Sequence, residues 1–150
     1  MNDGSKIPDV SVTIDDAVVS LASLEAPLVV YFYPKDDTAG CTTEAKDFSA
    51  LSDAFVAAGV TVIGVSRDSA ASHAKFMAKH ALAVRLASDV EGVACEAFGV
   101  WVEKAMYGRK YMGIERATFL FGADGTLAKA WRKVRVSGHA EAVLTAAKAL

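Results

Sequence analysis

The sequence predicts an α/β fold in which helices flank a mixed central sheet. Two short runs, residues 28–33 and 60–65, are predominantly apolar and rich in β-branched and aromatic side chains, which is typical of strands covered on both faces. Segments with helical periodicity alternate with these runs, and that order favours parallel strands joined by helices. Near the C-terminus an Asp-Gly turn separates two further strand-like segments, which indicates an antiparallel hairpin.

The first predicted strand, residues 28–33, is closed by Pro34, and a helix-like pattern follows the next loop. Apolar residues return at spacings of three and four, at Phe48, Leu51, Phe55 and Ala58. Gly59 then supplies a helix stop. Cys41 therefore lies at the opening of an amphipathic helix.

The middle of the chain repeats this pattern. After the strand at residues 60–65, Asp68 and Ser69 can cap a second helix that ends near Ala81. Residues 84–87 form a weaker, short strand. The predicted order to this point is β-α-β-α-β, as expected for a parallel arrangement.

The C-terminal part has a different pattern. Residues 117–121 and 126–134 are the two strands of the predicted hairpin, and residues 138–150 form a closing helix. Residues 101–115 are expected to be the only long irregular connection. Parallel units followed by a hairpin and a terminal helix fit a thioredoxin-like architecture.

Composition limits the possible functions. A chain of 150 residues, 53% hydrophobic and 23% charged, is long enough for one sizeable core, so we expect residues 1–150 to form a single domain. A net charge of −2 and scattered basic residues argue against nucleic acid and anionic membranes as partners. The N-terminal residues lack the apolar core of a signal peptide, and no run is long enough to span a bilayer. We expect a soluble, cytoplasmic protein.

The two cysteines, Cys41 and Cys95, do not make a disulfide framework, and with three scattered histidines they do not resemble a zinc site. A cysteine in the first turn of a helix lies where unpaired backbone N–H groups and the macrodipole favour the thiolate over the thiol. Gly40 allows a close backbone turn, and Thr38 can direct a hydroxyl at the same point. Alternatively, Cys41 is a small buried apolar residue and Thr38 is only a helix cap. Spacing alone leaves both interpretations open.

The segment PKDDTAGC, residues 34–41, matches the P-x-x-x-T/S-x-x-C motif of peroxiredoxins. Its flanks, VVYFYPKDDTAGCTTEAKDF, resemble the Q-type branch, also called bacterioferritin comigratory proteins. The similarity continues through GVSRDSAASHAKF, LASDVEGVACEAFGVW and EKAMYGRKYMGIERATFLFGADGT, and so covers nearly the whole chain from about Pro8. The resemblance implies a thioredoxin-like fold and a thiol-dependent peroxidase that needs no metal or organic cofactor.

The resemblance also implies roles for individual residues. Cys41 would be the peroxidatic cysteine, which attacks the O–O bond of a hydroperoxide and becomes a sulfenic acid. Thr38 and the backbone near Gly40 would stabilise charge on the peroxide oxygens, and Pro34 would shape the substrate pocket. Arg116 matches the arginine that the family places beside the sulfur. Without the resemblance, a surface salt bridge is the more ordinary role for Arg116.

The chain departs from the Q-type pattern at the resolving cysteine. One position used in the family, five residues after Cys41, is Lys46, and the other aligns with Met77. We therefore expect a one-cysteine cycle in which thioredoxin, glutaredoxin or a low-molecular-weight thiol reduces the sulfenic acid. A two-cysteine cycle with Cys95 as the resolving residue is the alternative. Ala39 stands where a proline is usual and leaves the loop slightly less rigid.

Other functional classes have less support. A disulfide exchanger would need the second cysteine of C-x-x-C, which this chain lacks. A noncatalytic, chaperone-like module would leave Cys41 inert. His73 and His80 are too far apart on a helix to bind one metal ion, and we expect packing or surface roles for them. We expect a monomer, or a weak homodimer formed through the apolar residues 101–112.

Overall fold

The computed structural model describes residues 1–150 and contains nine strands, five α-helices and one short 3-10 helix, Leu21–Ser23. The strands are β1 (Ser11–Ile14), β2 (Ala17–Ser20), β3 (Leu28–Phe32), β4 (Thr61–Ser66), β5 (Arg85–Ser88), β6 (Trp101–Met106), β7 (Arg109–Ile114), β8 (Ala117–Phe121) and β9 (Leu127–Trp131). The helices are α1 (Ala39–Ala50), α2 (Ser52–Ala57), α3 (Ala70–His80), α4 (Val93–Ala97) and α5 (His139–Lys148). None of the helices combines the length and the apolar character needed to cross a membrane.

Seven strands form one mixed sheet in the order β2-β1-β5-β4-β3-β8-β9. Strand β3 pairs in parallel with β4 on one side and antiparallel with β8 on the other. Strand β5 extends the parallel part beside β4, and β9 completes the C-terminal hairpin with β8. This topology confirms the predicted mixed sheet and its closing hairpin.

The side chains of β3 alternate between two hydrophobic cores. Val30 and Phe32 face the core that contains Phe98, whereas Val29 and Tyr31 face the core that contains Phe48. Helices α1, α2, α3 and α5 contribute to the second core, and the short helix α4 contributes to the first. Both faces of the sheet are therefore covered, which explains why every residue of β3 is buried.

The prediction of an irregular connection at residues 101–115 is wrong. Strands β6 and β7 pair antiparallel and form a separate two-stranded ribbon. Tyr107 and Gly108 join them with φ of 52° and 77°, the left-handed conformation of both central residues in a tight hairpin turn. Several large apolar side chains of the ribbon are exposed, namely Met106, Tyr107, Tyr111 and Met112.

Two other elements differ from the prediction. An N-terminal hairpin, β1 with β2, extends the sheet, and its turn uses positive φ at Asp15 and Asp16. The single helix predicted from Cys41 to Gly59 is two helices, because Leu51, with φ −97° and ψ 4°, leaves the helical conformation between α1 and α2.

Candidate active site

The loop between β3 and α1 delivers Cys41 to the start of a helix. Thr38 is the N-cap of α1 and has an extended backbone, with φ −96° and ψ 157°, so Cys41 is the third helical residue. The N–H of Thr42 makes the first helical hydrogen bond, 2.8 Å to the carbonyl of Thr38. The N–H groups of Gly40 and Cys41 have no acceptor in the protein and can donate to an anion.

Arg116 reaches the same helix terminus from the other side. It lies between β7 and β8, and the pairing of β8 with β3 places its neighbour Ala117 opposite Phe32, the last residue of β3. Nη2 of Arg116 donates to Sγ of Cys41 at 3.3 Å. Gly40 leaves room for the guanidinium, since a Cβ at this position would lie 3.2 Å from Nη2.

Glu44 holds the other end of the guanidinium. Nη1 of Arg116 donates to Oε1 of Glu44 at 2.7 Å, and Glu44 is only 1% exposed. Burial raises the pKa of Glu44 to about 7, although the positive charge of Arg116 opposes the shift. Burial alone would lower the pKa of Arg116, but the Glu44 carboxylate and the Cys41 sulfur outweigh it and the pKa is raised. The guanidinium therefore stays cationic.

Both pKa values are raised, which favours the charged form of Arg116 but disfavours the charged form of Glu44. The pair should lower the pKa of its carboxyl, yet that pKa is raised. The geometry explains the difference, because Oε2 of Glu44 is buried without a hydrogen-bond partner. One ion pair does not compensate for a carboxylate removed from water with half of its acceptor sites empty.

Pro34 and Thr38 belong to the loop between β3 and α1. The hydroxyl of Thr38 donates to the carbonyl of Lys35 at 2.8 Å and makes no hydrogen bond to Cys41. It closes the loop, and its oxygen can still accept. Pro34 lines a groove of about 540 Å³ that the ribbon walls on the other side with Trp101, Lys104 and Met112. Burial and Arg116 lower the pKa of Lys104, whereas the Cys41 charge opposes that shift, so Lys104 lies within electrostatic reach of the site.

Cys41 itself is enclosed. The residue is 2% exposed and packs in the same core as Phe48 and Tyr31. The arrangement combines a thiol, a fixed cation and two unpaired N–H groups, and it can stabilise negative charge on sulfur and on an attacked oxygen.

Cys95 is not brought to this site. It lies in α4, is fully buried, and packs in the core on the opposite face of the sheet from Cys41. The N–H groups of Ala94 and Cys95 donate to the carboxylate of Asp89 at 3.1 and 2.9 Å. Burial raises the pKa of the Cys95 thiol, and the nearby Asp89 raises it further.

A buried polar network beside the site was not anticipated from the sequence. Asp36, in the loop before α1, contacts Tyr33, Ser72 and His73, and His73 is only 4% exposed. Ligand atoms of Asp36, Asp68 and His73 lie within 4.8 Å of one another, which is close enough for a metal ion. The contacting oxygens and nitrogens are already used in hydrogen bonds within the protein. The expectation of a packing role for His73 did not foresee these bonds.

A family model described as the AhpC/TSA family matches residues 4–130. The chain belongs to this family. Its curated relatives include Peroxiredoxin Bcp of Xanthomonas campestris, 56% identical over 122 residues that cover 81% of this chain and 76% of the relative. Peroxiredoxin Bcp of Bacillus subtilis is 47% identical over 145 residues, covering 95% and 92%.

Solved structures of peroxiredoxins have the same fold. Xanthomonas campestris bacterioferritin comigratory protein, studied for its alkyl peroxide reduction activity, matches with a TM-score of 0.90 at 45% identity, covering 99% of this chain and 98% of that one. A mutant of Xylella fastidiosa PrxQ matches with a TM-score of 0.92 at 41% identity, covering 99% and 96%. This peroxiredoxin is accordingly a thiol-dependent peroxidase with a thioredoxin-like fold.

Proposed function

We propose that this peroxiredoxin reduces hydrogen peroxide and organic hydroperoxides through a sulfenic acid on Cys41, in a one-cysteine cycle completed by an external thiol. The observation that best supports the proposal is the 3.3 Å contact between Nη2 of Arg116 and Sγ of Cys41. This contact places a permanent cation beside a sulfur in the first turn of a helix. The cation favours a negative charge on the sulfur, and the unpaired N–H groups of Gly40 and Cys41 favour it as well.

The first half-reaction uses these groups in sequence. The Cys41 thiolate attacks one peroxide oxygen, the S–O bond forms as the O–O bond breaks, and the leaving oxygen takes a proton as water or an alcohol. Negative charge grows on the oxygens during this step, so donors that are already in place lower the barrier. We assign that role to Arg116 and to the N–H groups of Gly40 and Cys41, with Thr38 as the hydroxyl that orients the peroxide.

The second half-reaction requires thiols from outside the chain. One thiol condenses with the sulfenic acid, releasing water and forming a mixed disulfide, and a second thiol then releases reduced Cys41 and a disulfide product. Thioredoxin, glutaredoxin and low-molecular-weight thiols are the candidate reductants. No step needs a metal or an organic cofactor.

The position of Cys95 supports the one-cysteine cycle. A disulfide needs Cα atoms within about 7 Å, and Cys95 packs on the other face of a sheet whose central strand is fully buried. The two positions that hold resolving cysteines in the Q-type pattern are Lys46 and Met77. A disulfide exchanger is disfavoured because no second thiol lies beside Cys41.

Three properties remain predictions. We expect a cytoplasmic protein of one domain that is a monomer, or a weak homodimer formed through the exposed ribbon β6–β7.

The test compares wild type with Cys41→Ser and Cys95→Ser in peroxide consumption, using hydrogen peroxide and an organic hydroperoxide with a dithiol donor. We expect turnover by wild type and Cys95→Ser and none by Cys41→Ser. Equal turnover by wild type and Cys41→Ser would reject the proposal. Intact mass after one equivalent of peroxide, and again after each reductant, separates a sulfenic acid, an internal disulfide and a mixed disulfide.

A further inference from the structure

The loop that carries Thr38 is bound to helix α3 through a buried carboxylate. Oδ1 of Asp36 accepts from the hydroxyl of Tyr33 at 2.6 Å, and Oδ2 accepts from the hydroxyl of Ser72 at 2.8 Å. Nδ1 of His73 lies 2.7 Å from the same Oδ2. The backbone N–H of Asp36 donates to Asp68 at 2.9 Å, so both the main chain and the side chain of this loop residue are fixed.

The contacts of His73 determine how many protons the pair holds. Nε2 lies 3.0 Å from the carbonyl oxygen of Ala87, which can only accept, so Nε2 carries a proton. Nδ1 faces a carboxylate oxygen at 2.7 Å, and that contact is attractive only if a second proton lies between the two atoms. Asp36 and His73 are 7% and 4% exposed, and a separation of 2.7 Å leaves no room for a water between the two atoms.

We propose that Asp36 and His73 are positioning residues for the peroxidase reaction. They share one buried proton, and this proton fixes the loop so that the amides of Gly40 and Cys41 and the hydroxyl of Thr38 meet the peroxide together. The inference rests on the peroxidase function proposed above. Because Asp36 lies five residues before Cys41 and in the same loop as Thr38, a shift of this anchor moves the donors around the sulfur.

The surroundings favour the carboxylate form of Asp36. Other titratable groups that face it are Tyr33 and Tyr31 on the strand side and Asp68 on the loop after β4. Burial would raise the pKa of Asp36, but the bonds from His73, Tyr33 and Ser72 outweigh it and the pKa is lowered. Burial also raises the pKa of Tyr33, so its hydroxyl keeps its proton and remains a donor to Asp36.

One conservative variant removes the shared proton and keeps the hydrogen-bond geometry of the anchor. In Asp36→Asn, the amide nitrogen replaces Oδ2 and can donate to Nδ1 of a neutral His73 and to the hydroxyl oxygen of Ser72. The amide oxygen can still accept from Tyr33. The anchor keeps its geometry in this variant but no longer needs the second proton.

The decisive measurement is the protonation of His73, followed by ¹⁵N NMR of the imidazole nitrogens at neutral pH. We expect two protonated ring nitrogens in wild type and a neutral ring protonated at Nε2 in Asp36→Asn. A neutral ring in wild type would overturn the proposal. The NMR measurement does not depend on peroxidase activity, so it still tests the shared proton if the protein proves not to reduce peroxides.

The second measurement is the rate at which hydrogen peroxide oxidises Cys41, followed by rapid quench and intact mass. We expect His73→Ala to lose between about tenfold and about a hundredfold, the scale for misplaced reacting groups, and Asp36→Asn to lose clearly less, because its amide keeps the hydrogen bonds of the anchor. Equal losses in the two variants, or a wild-type rate in His73→Ala, would contradict the proposal.

Two controls separate positioning from general stability. Asp37→Asn makes the same chemical change one residue along, where the carboxylate is exposed and pairs with Lys79 and His80, and it should leave the rate unchanged. Val12→Ala destabilises the core on the opposite face without touching the loop, and it should lower the melting temperature but not the rate. A rate that follows melting temperature across all variants would show a merely structural role.

Discussion

Nη2 of Arg116 lies 3.3 Å from Sγ of Cys41, although the two residues are 75 positions apart in the chain. The guanidinium is already fixed by Nη1, which donates to the buried carboxylate of Glu44 at 2.7 Å. Arg116 therefore needs little rearrangement when a peroxide binds. A cation held in advance is more effective than a mobile one, since its orientation costs nothing during the reaction.

Replacing Arg116 by Met should slow the oxidation of Cys41 by hydrogen peroxide on the order of a hundredfold, as for the loss of one fixed donor. Arg116→Lys should recover only part of the rate, because an ammonium cannot donate to Cys41 and Glu44 in the same planar geometry. The rate is measured by rapid quench and intact mass.

Arg132→Met is the matched control for that experiment. Arg132 pairs with Glu115, the residue next to Arg116, but the arginine side chain is 43% exposed. Its loss should leave the oxidation rate unchanged, as expected for a partly exposed ion pair. An equal loss of rate in Arg132→Met and Arg116→Met would show that general positive charge, not the contact to sulfur, is responsible.

Glu44 should make stability depend on pH near neutrality. Its pKa in the folded protein is raised from 4.5 to about 7, so the folded state keeps this proton over a range where the unfolded chain releases it. The contribution is fully present below pH 4.5 and is lost as the pH rises through 7. Relative to Glu44→Gln, wild type should lose on the order of 3 kcal/mol of unfolding free energy across this window.

Urea unfolding of wild type and Glu44→Gln at several pH values between 4.5 and 8 measures this difference. The comparison removes the contributions of other groups, because they titrate alike in both proteins. A difference that stays constant from pH 4.5 to pH 8 would contradict the prediction. It would mean that Arg116 compensates the buried carboxylate fully and that Glu44 is ionised throughout.

The sequence predicted those parts of the fold that follow from local hydrophobic pattern. Strands β3 and β4 stand out because both of their faces are buried, which produces an unusual density of apolar residues. The hairpin β6–β7 was missed because most of its residues are exposed or half-buried and its turn is Tyr107-Gly108, which is not a strong turn signal. The turn between β1 and β2 was missed because its two residues at positive φ are Asp15 and Asp16, and neither is a glycine.

The site was predictable only in part for a related reason. A cysteine that begins a helix can be recognised locally as a candidate, but the spacing left two interpretations of Cys41 open, and its proposed role came from the family motif. The contact with Arg116 depends on the pairing of β8 with β3, which spacing cannot show, so its place near the sulfur came from the family resemblance. Asp36 and His73 are 37 positions apart, and nothing in the local sequence indicates that they meet.

Removing the Cys95 thiol should not affect the catalytic cycle. Cys95→Ala should turn over at the wild-type rate with thioredoxin, glutaredoxin or a small thiol, because Cys95 packs on the opposite face of the sheet from Cys41. The substitution should lower the unfolding free energy by about 1 kcal/mol, through a small cavity in the core. A Cys41–Cys95 disulfide in the mass spectrum after one equivalent of peroxide would contradict this prediction.

His139 should limit stability in acid. Its pKa is lowered from 6.5 to about 4, first by burial and then by the positive charge of Arg116. The ring is 6% exposed, lies edge-on to Phe48 and Trp131, and places Nε2 at 2.7 Å from the hydroxyl of Thr118. A second proton on this ring has no acceptor comparable to water, so the folded state favours the neutral form.

The lowered pKa of His139 determines whether stability rises or falls with pH. The contribution of His139 to stability is complete above pH 6.5 and is lost as the pH falls towards 4, because the unfolded chain takes up the proton first. Relative to His139→Gln, wild type should lose about 1 to 2 kcal/mol of unfolding free energy between pH 6.5 and 4, less than the full shift implies because solvent screens part of the charge. If His139→Gln loses as much stability as wild type over this range, another group is responsible for the acid sensitivity.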